Sequence, residues 1–263
     1  MADRATAADT LVALTRDVAD AIVDCELTHR ARAAIDVAVA RAQHAAYEAR
    51  LRAAGCQVVR AAPAPHLPDS VFIEDTAVVL NEVAVVTRPG AASRRAEISA
   101  VEAALAPFRV VERIEPPGTL DGGDVLVVGQ QVFVGWSSRT NDDGIEQLRA
   151  LVTPHGYTVQ PVPVHGCLHL KSAVTALSDE TLLINRAWTH VESFRRFDLL
   201  DVHPFEPFAA NALRVGGQVI AAAEFPRTIE RMARRGIAPL TVPASELAKA
   251  EGGVTCCSLV FRQ

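Results

Sequence analysis

The sequence predicts a mixed α/β fold of five ββαβ modules that close on themselves as a propeller-like barrel with pseudo-fivefold symmetry, one domain over residues 1–263. Three observations predict it. Short paired β-runs recur along the chain; each is followed by a helical stretch and then by a third β-run that stops at a proline; and the final run, TCCSLVF, has no partner arm after it, so the N-terminal LVALTRDV must supply one.

The elements follow in order. After LVALTRDV, the stretch RARAAIDVAVARAQHAAYEARLR alternates basic and apolar residues as a surface helix with its arginines in water, and CQVVRAAP is the strand behind it. The paired runs TAVVLNEVAVVTRPG, DVLVVGQQVFVGWSSRT, AVTALSDETLLINRAW and NALRVGGQVIAAAEFPRT read as hairpins, because the turn signals LNE, GQQ, SDE and GGQ separate Val-, Ile- and Leu-rich arms of strand length. Helices follow over ASRRAEISAVEAALAPF, NDDGIEQLRALVTPHG, THVESFRRFDLL and RTIERMARRG, where apolar residues recur every three or four positions. Third strands are FRVVERIEP, YTVQPVPV and IAPLTVP; proline ends each because it cannot donate to a ladder.

Composition narrows the function. With 49% hydrophobic residues in 263, the chain buries enough core to need no disulfide or metal staple. Cys25, Cys56, Cys167, Cys256 and Cys257 are an odd, scattered set without CxxC pairs, which argues against a disulfide framework or a zinc ribbon and for a reducing compartment. The start, MADRATAADT, has no apolar h-region and no run of eighteen apolar residues occurs, so the expectation is a cytoplasmic protein with neither secretory signal nor membrane span. A net charge of −5 without a Lys/Arg stripe argues against nucleic acid as a partner; a homodimer is compatible with the sequence.

In every module, the residues with chemical potential collect just before the hairpin. They are Asp69, Glu74 and Asp75, then Asp121 and Asp124, then His169 and Lys171, then Asn211, then Cys256. Modules related by rotation would bring these loops to one mouth. Acids before strands are commonly turn formers, but Val71, Phe72 and Ile73 around the acids of LPDSVFIEDT predict partial burial, and buried carboxylates need cations: Arg94, Arg95 or a cationic ligand. In PPGTLDGGDVLVV, Gly122 and Gly123 permit close backbone approach between Asp121 and Asp124. Free cysteine is more often core filling than catalyst. Of the adjacent Cys256 and Cys257, alternation along a strand lets only one face the mouth, and the tight turn expected at Gly252 and Gly253 favours the first.

Taken together, LPDSVFIEDTAVV, TRPGAASRRAEI, PGTLDGGDVL, FVGWSSRTN, LHLKS and TCCS, in this order and spacing, resemble the dimethylarginine dimethylaminohydrolases, cysteine hydrolases of the guanidino-group-modifying superfamily that also holds the arginine deiminases. The resemblance implies a five-module α/β propeller with Cys256 as nucleophile and His169 as general acid/base. It implies that Asp75 and Asp121 grip the guanidinium, with Asp69 and Glu74 beside them, and that Arg94 and Arg139 hold the substrate carboxylate. Leu27 resembles a lid leucine whose backbone reaches the ligand, and Ala250 a residue whose carbonyl accepts from the α-amino group. The implied partner is a small guanidino substrate, converted to citrulline without metal or organic cofactor.

A guanidinium carbon is a poor electrophile, which is why this chemistry wants a thiolate held beside paired carboxylates. The nearest rival is an arginine deiminase, whose family members are longer. A non-catalytic propeller has no use for a Cys, a His and two acid clusters at module ends, and a metal site at Cys167, His169 and Cys256 lacks ligand spacing.

Overall fold

The computed structural model describes residues 10–263; most of MADRATAADT, the stretch expected to carry no secretory signal, lies outside them. In chain order the elements are β1 (Leu11–Thr15), α1 (Val37–Ala53), β2 (Gln57–Arg60), β3 (Ala77–Val79), β4 (Val83–Val86), α2 (Ile98–Leu105), β5 (Val110–Arg113), β6 (Val125–Val128), β7 (Gln131–Trp136), α3 (Asp142–Val152) and β8 (Thr158–Pro163). They continue with α4 (Leu170–Ala173), β9 (Val174–Ala176), β10 (Thr181–Ile184), β11 (Asp198–Asp201), β12 (Ala212–Val215), β13 (Gln218–Ala222), α5 (Pro226–Arg234), β14 (Leu240–Val242), α6 (Ser245–Lys249) and β15 (Leu259–Arg262).

The strands form five separate three-stranded sheets: β3-β4-β5, β6-β7-β8, β9-β10-β11, β12-β13-β14 and β15-β1-β2. In each, the first two strands are antiparallel and the third runs parallel to the second. The ends of the chain meet as expected, with Leu14 opposite Leu259. Among the described residues no β-ladder joins one sheet to the next, so the propeller-like barrel expected from the repeat is a propeller of discrete blades. The first strands β3, β6, β9, β12 and β15 line one central cavity of about 460 Å³.

Blade geometry explains why the strands read as unbroken apolar runs. Both faces of a blade pack against neighbours, and successive side chains alternate between them. In β4, Val83 and Val85 join a cluster with the next blade while Ala84 packs towards the preceding one. In β10, Leu182 and Ile184 pack against Phe133 of β7, whereas Leu183 packs against Ala212 and Val219. The core is accordingly five apolar seams between adjacent blades.

The β9-β10-β11 blade corrects the sequence reading. THVESFRRFDLL is not an α-helix: a single 3-10 turn, Val191–Phe194, leads into β11, which pairs in parallel with β10. The apolar residues Val191, Phe194 and Phe197 recur every three positions, the period of a 3-10 turn. Phe194 and Phe197 sit on Phe133 with ring centroids 5.0 and 5.9 Å away, and this anchors the short crossover.

Candidate active site

Each first strand is entered through a tight turn at the same end of its blade: Ile73–Thr76 before β3, Gly122–Asp124 before β6, α4 before β9, Pro207–Ala210 before β12 and residues 254–257 before β15. This repeated geometry brings residues far apart in sequence to one pocket. Asp69, Asp75, Arg94, Arg139, His169, Ala250 and Cys256 all line it. Leu27, Glu74 and Asp121 do not, although Asp121 supports a residue that does.

His169 is buried, with Nε2 3.0 Å from Asp121 Oδ2 and Nδ1 3.7 Å from Asp75 Oδ1. Burial by itself lowers its pKa, but Asp75 and the bond to Asp121 outweigh it and raise the value to about 9. The ring is held protonated at neutral pH. Asp121 accepts also from the Gly90 amide at 2.9 Å. Asp124 carries no ligand-facing role here; it accepts from Ser137, Thr140 and the Leu170 amide, fixing the start of α4 next to His169.

Asp75 accepts from the Gly123 amide at 2.9 Å and from Arg94 Nη1 at 2.5 Å. Burial works against its ionisation, yet His169, Arg94 and the amide hold its pKa below the ordinary carboxylate range. Gly123 is required by contact: a Cβ there would lie 2.6 Å from Asp75 Oδ1 and from His169 Nδ1, as the GG motif suggested. Arg94, read as a holder of the substrate carboxylate, spends its fork on Asp75, both oxygens of Glu97, and the carbonyls of Asp69 and Phe72. Arg139 is half-buried and among the described residues its guanidinium reaches Thr28 Oγ1, at 3.1 Å.

Cys256 and Cys257 are not on a strand, as alternation had assumed, but in the turn before β15. The two still diverge: Cys256 lines the pocket, and Cys257 is buried in the seam with Tyr47 and Leu247. Cys256 Sγ accepts from the Gly253 amide at 3.2 Å. Burial, then Glu74 and Asp75, push the thiol up to about 12, so these groups hold it protonated at neutral pH. Gly252 is a contact glycine as well: a Cβ would meet the Phe72 ring at 2.1 Å.

Glu26, Phe72, Leu168, Glu251 and Gly252 also line the pocket and were not assigned to it from sequence. Phe72 lies within LPDSVFIEDTAVV and Leu168 within LHLKS, and Gly252 carried only the expectation of a tight turn; Glu251 gave no signal, because its role depends on a left-handed backbone (φ 60°) just after α6. That conformation aims its carboxylate at the amides of Thr28 and His29, at 3.0 and 2.6 Å. The Glu26 amide donates in turn to Asp69 at 3.1 Å. Residues 26–29 are thereby drawn over the pocket, leaving about 20 Å³, room for little more than one water. Leu27 packs on the apolar seam behind this loop. Asp69, buried, has its pKa raised to about 6 despite Arg94 and the Glu26 amide.

The donor atoms of Asp75, Asp121 and His169 lie within 4.8 Å of one another, close enough to meet at a metal. They are already engaged, however, by Arg94, by the amides of Gly123 and Gly90, and by the Asp121–His169 bond.

Comparison with known proteins agrees with this geometry. Residues 20–184 match the family model described as N,N dimethylarginine dimethylhydrolase, eukaryotic. The chain is 44% identical to the N(G),N(G)-dimethylarginine dimethylaminohydrolase of Streptomyces coelicolor, over 95% of this chain and 97% of that one. It is 38% identical to the enzyme of the same name from Pseudomonas aeruginosa, over 86% and 90%. A crystal structure of a Cys-to-Ser variant of the Pseudomonas aeruginosa protein, complexed with citrulline, superposes with a TM-score of 0.91 at 35% identity, covering 96% of this chain and 99% of that one. The N-terminal domain of a cyanobacterial arginine dihydrolase, at 20% identity, shares the fold with a TM-score of 0.85 over 95% and 97%. With the blades, the acid-bound histidine and the pocket-facing cysteine in place, these matches show that the chain belongs to the dimethylarginine dimethylaminohydrolase family.

Proposed function

We propose that the protein hydrolyses Nω-methylated arginine to citrulline and methylamine or dimethylamine, through a covalent intermediate on Cys256. The observation that carries this reading is one buried pocket lined by a protonated His169, an ionised Asp75 and the Cys256 thiol, with Arg139 at its edge. Its membership of the family, whose named relatives are dimethylaminohydrolases, supports the substrate class.

The ligand enters when the loop over residues 26–29 lifts, because an amino acid does not fit the closed pocket. The guanidinium pairs with Asp75, which lines the pocket while Asp121 stays behind His169, and offsets the charges that oppose a thiolate, so the Cys256 proton passes to bulk water while the loop is open. Sγ then bonds to the guanidinium carbon. Asp121 occupies His169 Nε2, which leaves Nδ1 as the atom that protonates the departing amine as the C–N bond breaks. The same nitrogen next takes a proton from water; the resulting hydroxide adds to the thiouronium carbon, the C–S bond breaks, and citrulline leaves with the thiolate restored. Arg139 takes the substrate carboxylate, Arg94 keeps Asp75 in position, and the Ala250 carbonyl accepts from the α-amino group.

The test is citrulline release from arginine, monomethylarginine and asymmetric dimethylarginine. Turnover of the methylated substrates with little of arginine is expected. Turnover of arginine with ammonia release would assign an arginine deiminase-type activity, and no turnover of any of them would sink the proposal.

A further inference from the structure

Lys171 and Asn211 have no part in the reaction just described, and Glu74 faces away from the pocket. All three meet behind the nucleophile. Glu74 is buried, with Oε1 2.5 Å from Lys171 Nζ and Oε2 accepting from Thr255 Oγ1 at 2.7 Å. The Thr255 amide donates to Asn211 Oδ1 at 3.0 Å, and Asn211 Nδ2 donates to Thr255 Oγ1 at 2.9 Å and to the Lys171 carbonyl at 3.1 Å. The Glu74 amide donates to the Cys256 carbonyl at 3.0 Å. Gly253 lets Asn211 approach, since a Cβ there would stand 2.3 Å from its Oδ1. Three other blades thus clamp the cysteine turn from the rear.

Counting protons sharpens this. A hydroxyl has one hydrogen to give, and that of Thr255 goes to Glu74. It is therefore withheld from Cys256 Sγ, 4.0 Å from Oγ1, and the amide of Gly253 is the donor to sulfur.

We propose that Lys171 and Glu74 are a positioning pair for Cys256: the lysine cancels the carboxylate's charge and keeps it bonded to Thr255, so that the sulfur stays aimed at the pocket and its ionisation is left to the ligand. The proposal rests on the reading of Cys256 as nucleophile. From the pocket, Cys256 is faced by Asp75, His169, Arg94 and Arg139, with Asp69, Glu26 and Glu251 at the edge; Cys257 and Tyr47 lie on the core side. A substrate touches the pocket groups. It does not touch Glu74 and Lys171, which border the central cavity.

Site-resolved alkylation of Cys256 by neutral iodoacetamide, read by mass spectrometry at a fixed pH near neutrality, tests the pair in the intact protein. Removing the cation in Lys171→Met leaves Glu74 opposing the thiolate, whereas Glu74→Gln leaves Lys171 favouring it. A shift of about one pH unit in either direction, softened by the lower nucleophilicity of a more acidic thiol, changes the rate roughly three- to fourfold. Lys171→Met is expected to slow alkylation, Glu74→Gln to speed it, and the double variant and Lys171→Arg to return near wild type. In steady state Lys171→Met should lower kcat with little change in KM. If Lys171→Met does not fold, Glu74→Gln and the double variant carry the same comparison. Shifts of the same sign in both single variants, no shift in either, or an effect confined to KM would overturn the proposal. Because alkylation needs no turnover, opposite shifts in a protein inert towards methylated arginine would refute the substrate and leave the pair standing.

Discussion

At the residue scale, the adjacent cysteines give the sharpest contrast. Cys256→Ser is expected to abolish turnover. Cys257→Ser places a hydroxyl in an apolar seam, where the Gly253 carbonyl is 3.6 Å from the present sulfur; it should cost roughly 1–3 kcal/mol of stability and leave most of the rate. Parallel kcat and denaturant measurements on the two variants check this, and equal loss of rate in both would remove the distinction. His169→Ala should lose about 10²–10⁴ in kcat, the usual share of a positioned acid/base; single-turnover rates close to wild type would place the proton transfers elsewhere. Arg139 is only half-buried, so Arg139→Ala should lose a charge-assisted bond of about 1.5–3 kcal/mol and raise KM roughly ten- to a hundredfold. Alkylguanidines without a carboxylate should be nearly indifferent to that change, and an equal loss for them would make Arg139 a structural residue.

At the element scale, the site is made by turns, and the glycines within them are where it is least tolerant. Gly252→Ala must displace the Phe72 ring, a contact of 2.1 Å, at an overpacking cost of about 1–3 kcal/mol. Activity should fall further than stability, because the same turn carries Cys256; melting curves beside kcat separate the two effects. Much of this scale was legible in the sequence. The hairpins were readable because their turn residues interrupt apolar arms, and the join of β1 to β15 because TCCSLVF lacked a partner. The crossover of the β9-β10-β11 blade was not: a three-residue apolar spacing suits a helix and a 3-10 turn alike, and only packing on Phe133 decides between them. The loop at 26–29 was hidden for another reason. It is held by backbone amides on Asp69 and Glu251, contacts that no side-chain pattern announces. Asp75, His169 and Cys256, by contrast, reach the pocket because each sits in the segment that enters a first strand. Glu74 shows the limit of that argument, since it is next to Asp75 in one turn yet points to the opposite side, towards Lys171.

At the scale of the whole molecule, five blades deliver more negative than positive charge to one axis, and this has consequences for pH. His169 titrates at about 9 in the fold against about 6.5 for the free side chain. Its folded pKa is raised, so its contribution to stability is fully present below about 6.5 and is lost as the pH rises through about 9. Denaturation midpoints should fall across that window in the wild type, and His169→Asn should lack that part of the slope; parallel slopes would mean that the histidine is not ionised by Asp75 and Asp121. The same acids oppose a thiolate at Cys256, which gives the account its central claim: the empty enzyme keeps the nucleophile protonated, and the cationic substrate ionises it. The most direct measurement is the ultraviolet thiolate absorbance of Cys256, taken as the difference from Cys256→Ser, titrated with and without a small unreactive guanidinium. The account predicts no thiolate through the neutral range in the free protein, in keeping with a thiol pushed up to about 12, and a marked fall in the apparent pKa when the cation binds. A cysteine already ionised well below neutral pH and unmoved by the guanidinium would contradict it and establish a standing Cys–His ion pair instead.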